Sequence, residues 1–168
     1  MNKAYLAGGC FWCIADYLAS FRGIEEINVG YTGGNETNVN YEMVKSQKTG
    51  HRETIEIVFD NSISLEEIVD IFLSYVDPYD KDGQFIDKGH SYTLAFYYQN
   101  KDEKTLYEKK TKELEVKLHQ KAYISVEPFK FFIRAEEEHQ EYSKKNPDAF
   151  YQELVSSNRV SCHLKKRH

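Results

Sequence analysis

The sequence predicts an α+β fold: a ferredoxin-like α/β sandwich with a mixed sheet, flanking helices and long irregular loops. Three observations predict it. Alternating, β-branched stretches take turns with stretches of helical periodicity, in the order β-α-β-β-α-β-α-β. The 168 residues are 40% hydrophobic, enough for one compact domain that buries its core without disulfide staples. No internal repeat, low-complexity segment or linker divides the chain, so 1–168 reads as a single domain with 148–168 as a C-terminal extension.

A short buried strand is expected over 3–7. Gly8-Gly9 then turns the chain into an amphipathic helix over 11–21. Strands over 25–31 and 53–59 follow. Ser64 opens a helix, with Glu67 three residues on as a capping box and Leu65, Ile68, Ile71, Phe72 and Tyr75 as its apolar stripe. A strand over 92–98 leads into a helix over about 101–120, where Leu106, Leu114 and Leu118 make a sparse stripe on a rod whose charges face solvent. The last strand is expected over 129–135. Two stretches rich in Gly, Asn and Asp, 32–52 and 77–91, are expected to be irregular, and long loops in a compact domain tend to carry function. Asp77-Pro78 reads as a turn.

Composition narrows the function classes. A net charge of −5 argues against a nucleic-acid partner, which calls for a basic face, and the short basic end from His163 to His168 reads as a solvated tail. With no apolar leader and no run of 18 apolar residues, neither secretion nor a membrane is expected. Three cysteines in such a chain suit a reducing cytoplasm, where a paired motif is more often catalytic than structural. A monomer is expected.

The chemistry concentrates in Ala7-Gly8-Gly9-Cys10-Phe11-Trp12-Cys13, which sets two thiols three residues apart around the only tryptophan. A thiol at a helix start gains from free N–H groups and the helix dipole, which favour the reactive thiolate. Cys13 lies one turn on, about 5–6 Å away between Cβ atoms, so a disulfide closes with little rearrangement. A zinc site would need a second pair of ligands, and only the adjacent Cys162 and His163 offer one; no metal or cofactor is expected. Gly50-His51-Arg52-Glu53 places an acid at a strand start, and Asp87-Lys88-Gly89-His90-Ser91-Tyr92 places an acid and a phenol before another.

These blocks, with Gly30-Tyr31-Thr32-Gly33-Gly34, Tyr41-Glu42-Met43-Val44, Asp77-Pro78, Ala135-Glu136-Glu137-Glu138-His139-Gln140 and Asn146-Pro147, resemble the A-type peptide methionine sulfoxide reductases, in that family's order and spacing over roughly 3–147. The resemblance implies reduction of the S epimer of methionine sulfoxide, protein-bound or free, with thioredoxin as reductant and no cofactor. One enzyme serves each epimer. It implies Cys10 as nucleophile, Glu53 as the acid that protonates the sulfoxide oxygen, Tyr41 and Tyr92 as hydroxyl donors to that oxygen, and Asp87 as a group orienting the substrate. Phe11 and Trp12 would wall the S-methyl pocket, and His51 and His139 are read as structural. The Gly-Cys-Phe-Trp-Cys form resembles the subgroup with a built-in resolving thiol, here Cys13, with Cys162 a second candidate.

His90-Ser91 stands where the family usually carries Thr-Gln, and Phe85 replaces a small residue, so the substrate loop departs from the common pattern. The rival reading is a thioredoxin-like dithiol oxidoreductase, which also needs Cys-x-x-Cys at a helix start. A binding module with a dead centre would not need the Cys10, Glu53, Tyr41 and Tyr92 set.

Overall fold

The computed structural model describes residues 2–164. Its central sheet contains β1 (Asn2–Gly8), β2 (Ile24–Thr32), β3 (Arg52–Phe59), β6 (Leu94–Tyr98), β7 (Ile124–Pro128) and β8 (Ile133–Arg134), in the order β7-β6-β1-β3-β2-β8. A two-stranded ribbon, β4 (Gly83–Gln84) with β5 (Asp87–Lys88), stands apart. The β6-β1-β3-β2 core is antiparallel throughout, and α1 (Phe11–Ala19) and α3 (Leu65–Tyr75) make its crossovers; this is the ferredoxin-like arrangement. β7 adds to β6 in parallel after α4 (Lys101–Leu118), as parallel neighbours require.

One sheet face carries the main core. Leu6, Val29, Tyr31, Ile55, Ile57 and Phe96 meet Phe11, Ile14 and Leu18 of α1 and Ile68 and Phe72 of α3. The other face holds a smaller cluster of Tyr5, Ala7, Ala95 and Tyr97, covered by Phe129 and Phe132. Phe129 stacks on Tyr5 with ring centroids 3.9 Å apart.

Several expectations are corrected. The strand over 129–135 is two separate pieces, with 129–132 a cover over the second face and only Ile133–Arg134 pairing with β2. β7 lies just upstream, where Ile124 and Val126 alternate and Pro128 closes the ladder. Tyr92 sits in a 3₁₀ turn, His90–Tyr92, rather than in a strand. Within 32–52, Asn40 caps the short helix α2 (Tyr41–Lys45) by accepting from the Met43 N–H. On α4, Leu114 packs against the core as expected, but Tyr107 and Lys110 are buried more deeply and Leu118 is exposed. Tyr107 meets Phe96 at 5.0 Å, and Lys110 bonds Glu66 and Asp70 of α3, each at 2.9 Å. The capping box of α3 is present as expected, Ser64 and Glu67 exchanging bonds of 3.1 Å. The extension beyond 147 folds as α6 (Pro147–Ser156) and α7 (Val160–Leu164), with Phe150 and Leu154 in the core. His163 is therefore not a solvated end: its Nδ1 bonds Asp16 and its Nε2 bonds the Tyr75 hydroxyl, both at 2.7 Å. Residues 165–168 of the expected tail lie outside the described residues.

Candidate active site

Gly9 makes the turn between β1 and α1 with φ +84°, and a Cβ there would meet the Gln84 side chain at 2.7 Å, so glycine alone fits. Cys10 is consequently the N-cap of α1, its carbonyl accepting from Cys13 and Ile14. The first-turn N–H of Phe11 does not serve the sulfur; it donates to Glu53 Oε1 at 3.1 Å. The expected lowering of the Cys10 pKa is accordingly reversed. Hydrogen bonding with the Cys13 sulfur, then burial, then the fields of Cys13, Glu53 and Asp87 push the Cys10 thiol well up. The resting group is a protonated thiol, and a polarised substrate has to draw its sulfur forward.

Glu53 is the second residue of β3, opposite Tyr31 of β2. Strand alternation sends Arg52 to the far face, where it bonds Glu127 at 2.7 Å, and turns Glu53 toward the helices. Burial pushes its carboxyl up to about 8; the Phe11 N–H works against this and Asp87 adds to it. At neutral pH Glu53 is mostly the acid form.

Tyr41 opens α2, and Tyr92 is held by the 3₁₀ turn. Burial, followed by the field of Glu53, keeps both phenols above their usual range. Both are O–H donors at any physiological pH. Asp87, on β5, is raised by burial and then by Glu153, and its buried Oδ2 has no hydrogen-bond partner. Cys10, Cys13, Glu53, Tyr41, Tyr92 and Asp87 lie close enough together for each to feel the charge of others in the set. Trp12 flanks it, stacked on Tyr142 of α5 (Tyr142–Lys145) at 3.9 Å and parallel to Tyr41 at 6.0 Å. Phe11 is wholly buried, 6.2 Å from the Tyr41 ring, and backs the wall instead of presenting a surface.

Residues that sequence spacing did not single out hold these groups in place. Glu136 accepts from the Tyr31 hydroxyl at 2.9 Å and from the Tyr41 N–H at 3.0 Å, which anchors the start of α2. Gln47 exchanges bonds with Ser91, 2.9 and 2.8 Å, and so ties the loop after α2 to the turn bearing Tyr92. Gln140 bonds both the N–H and carbonyl of Val29. The only sequence signal for Glu136 and Gln140 was their place in the Ala135–Gln140 block. His139 accepts from the Trp12 indole at 3.2 Å, and His51 bonds Gly34 and Glu36, so both serve structure as expected.

Among the described residues, one carboxylate oxygen of Glu153 lies within 4.8 Å of both the Cys10 and Cys13 sulfurs, and Cys162 is not in that group. The three cysteines are unbridged. A metal ion on this trio would face the buried guanidinium of Arg159, 4.0 Å from Glu153. His163, the other ligand candidate, has both ring nitrogens engaged.

A buried acid and two phenols close to a buried thiol, on a ferredoxin-like core, suit the class of cysteine-dependent oxidoreductases. The family model described as peptide methionine sulfoxide reductase matches residues 2–168, and the chain belongs to that family. It is 42% identical to the peptide methionine sulfoxide reductase MsrA 2 of Staphylococcus aureus over 164 residues, 95% of this chain and 93% of the relative. Among solved structures it is similar to reduced Mxr1 from Saccharomyces cerevisiae, with a TM-score of 0.82, 29% identity, and coverage of 88% of this chain and 86% of that one. It also matches the fold of Mxr1 in complex with Trx2, with a TM-score of 0.56, 20% identity and 84% coverage of each chain. Family membership decides against the thioredoxin-like rival.

Proposed function

We propose that the chain reduces methionine-S-sulfoxide, protein-bound or free, with Cys10 as the nucleophile. One observation carries this reading: the carboxyl of Glu53, held protonated, caps the helix that begins at Cys10. Sulfoxide oxygen leaves poorly unless protonated. Glu53 gives its proton to that oxygen while the Cys10 sulfur attacks, and the thiol proton restores the acid. Tyr41 and Tyr92 donate to the same oxygen and stabilise its developing charge. Trp12 walls the methyl group, and the unpartnered Oδ2 of Asp87 accepts from the substrate's N–H. The hydroxyl is transferred from the sulfoxide sulfur to the Cys10 sulfur as the transient bond between the two sulfurs breaks; methionine departs with that electron pair and Cys10 is left as a sulfenic acid.

Cys13 then condenses with the sulfenic acid to give a disulfide and water, and thioredoxin reduces that disulfide by thiol–disulfide exchange. The chain works as a monomer in a reducing cytoplasm, where the thiols of this cycle are kept reduced between turnovers, and among the described residues no helix is long and apolar enough to cross a membrane. Glu53→Gln tests the reading. The pre-steady-state release of methionine should slow by roughly 10²–10⁴-fold, as for loss of a general acid, and a rate within threefold of wild type removes Glu53 from the mechanism.

A further inference from the structure

We propose that Glu153 of α6 is the proton carrier of the disulfide-forming step, and that Arg159 is the positioning residue that aims it. The inference rests on Cys13 being the resolving thiol. Its ground is a juxtaposition that the reduction step leaves unused: a Glu153 oxygen within 4.8 Å of both sulfurs, beside a buried cation.

Forming the disulfide needs a base and an acid in succession. The Cys13 sulfur attacks the Cys10 sulfur, an S–S bond forms, and the S–O bond breaks with its electron pair leaving on oxygen. The proton lost by Cys13 passes to Glu153 and from there to the departing hydroxide, which leaves as water. The sulfenic acid is itself the oxidant. Of the carboxyls near the pocket, Glu53 spends Oε1 on the Phe11 N–H, and neither Glu53 nor Asp87 joins the group within 4.8 Å of both sulfurs.

Arg159 is 1% exposed, which demands a reason for its charge. Its Nε bonds Ser157 at 2.7 Å, its Nη1 donates to the Tyr75 hydroxyl at 3.3 Å, and its guanidinium lies 4.2 Å from the Phe85 ring. Phe85 is thus the platform on which the cation rests. Nη2 has no hydrogen-bond partner and lies on the Glu153 side, 4.0 Å from Oε1.

The test is a single turnover of the reduced full chain with methionine sulfoxide and no added reductant. Released methionine reports the first step, the Cys10–Cys13 disulfide after thiol alkylation reports the second, and dimedone traps the sulfenic acid between them. Glu153→Gln should lower the ratio of disulfide formation to methionine release at least tenfold and build up trapped sulfenic acid at Cys10. In Glu153→Ala, sodium formate should restore disulfide formation in a concentration-dependent way, a rescue that a merely structural side chain would not show. Arg159→Met should lower the same ratio, and Arg159→Lys should recover part of it. A ratio within threefold of wild type in Glu153→Gln, or a slow second step in Glu153→Ala that formate leaves unchanged, overturns the proposal. Peptide mapping that joins Cys10 to Cys162 alone would instead overturn the assignment of Cys13 beneath it.

Discussion

Glu53 is a carboxyl that folding makes harder to ionise, and this one property governs both its chemistry and its cost. Its pKa rises from 4.5 to about 8 because β3 buries it, so the folded chain binds that proton more tightly than the unfolded chain does. The group therefore costs no stability below about pH 4.5, and its cost grows as pH climbs through about 8. Glu53→Gln keeps an oxygen for the Phe11 N–H and removes the ionisation. The variant should melt higher than wild type near pH 9 and at the same temperature near pH 4.5, a difference that scanning calorimetry reads directly. The wild-type first-step rate should decline as pH rises past about 8, and the residual rate of the variant should lose that decline.

At the scale of elements, the pocket depends on loops tied to one another more than on the sheet. α2 and the turn bearing Tyr92 come from segments more than 40 residues apart, joined through the Gln47 side chain at a separation of 44 positions. Gln47→Ala unties them. Methionine release should fall about tenfold with a stability loss of about 1–2 kcal/mol, the cost of leaving buried polar partners of Ser91 unmade. Ser64→Ala makes the contrast: it removes the capping box of α3, away from the pocket, and should cost about 1 kcal/mol in urea unfolding with the first-step rate unchanged. A Gln47→Ala enzyme with wild-type release would show that Tyr41 and Tyr92 hold their places independently.

For the whole molecule, the C-terminal segment changes the account of the third cysteine. α7 packs beside α1 and buries His163 against Asp16, so Cys162 rests on a docked helix and has no loop of about 150 residues to close. Cys13 still leads, because its sulfur lies within 4.8 Å of that of Cys10. Cys13→Ser should accumulate sulfenic acid after one turnover and lose thioredoxin-dependent cycling, whereas Cys162→Ser should still form the Cys10–Cys13 disulfide in peptide maps. Much of this was legible from local pattern: the two thiols from their spacing, the capping box of α3, the four-strand core from its alternation. What was not legible acts at a distance. Glu136 reaches Tyr41 across 95 positions and Gln140 reaches Val29 across 111, and no periodicity records such bonds. β7 had the alternation of a strand, but its parallel partner is fixed only when α4 folds back. The helix-start argument for a thiolate failed for a related reason, since it counted the dipole of α1 without the carboxyl that β3 brings to its first N–H.

Trp12 is the sole tryptophan of the chain, and its indole is clamped in parallel on Tyr142 while its N–H rests on His139. The enzyme thereby carries one indole fluorophore, adjacent in the chain to the second of the two cysteines that change oxidation state and linked through Tyr142 to the segment that leads into α6. Sulfur beside an excited indole quenches it, and the closing of a Cys10–Cys13 bridge would change the sulfur state on either side of Trp12 in α1's first turn. Emission from this single residue should step between distinct levels as the cycle passes from dithiol to sulfenic acid to disulfide, so that stopped-flow fluorescence follows each interconversion without label or coupled assay.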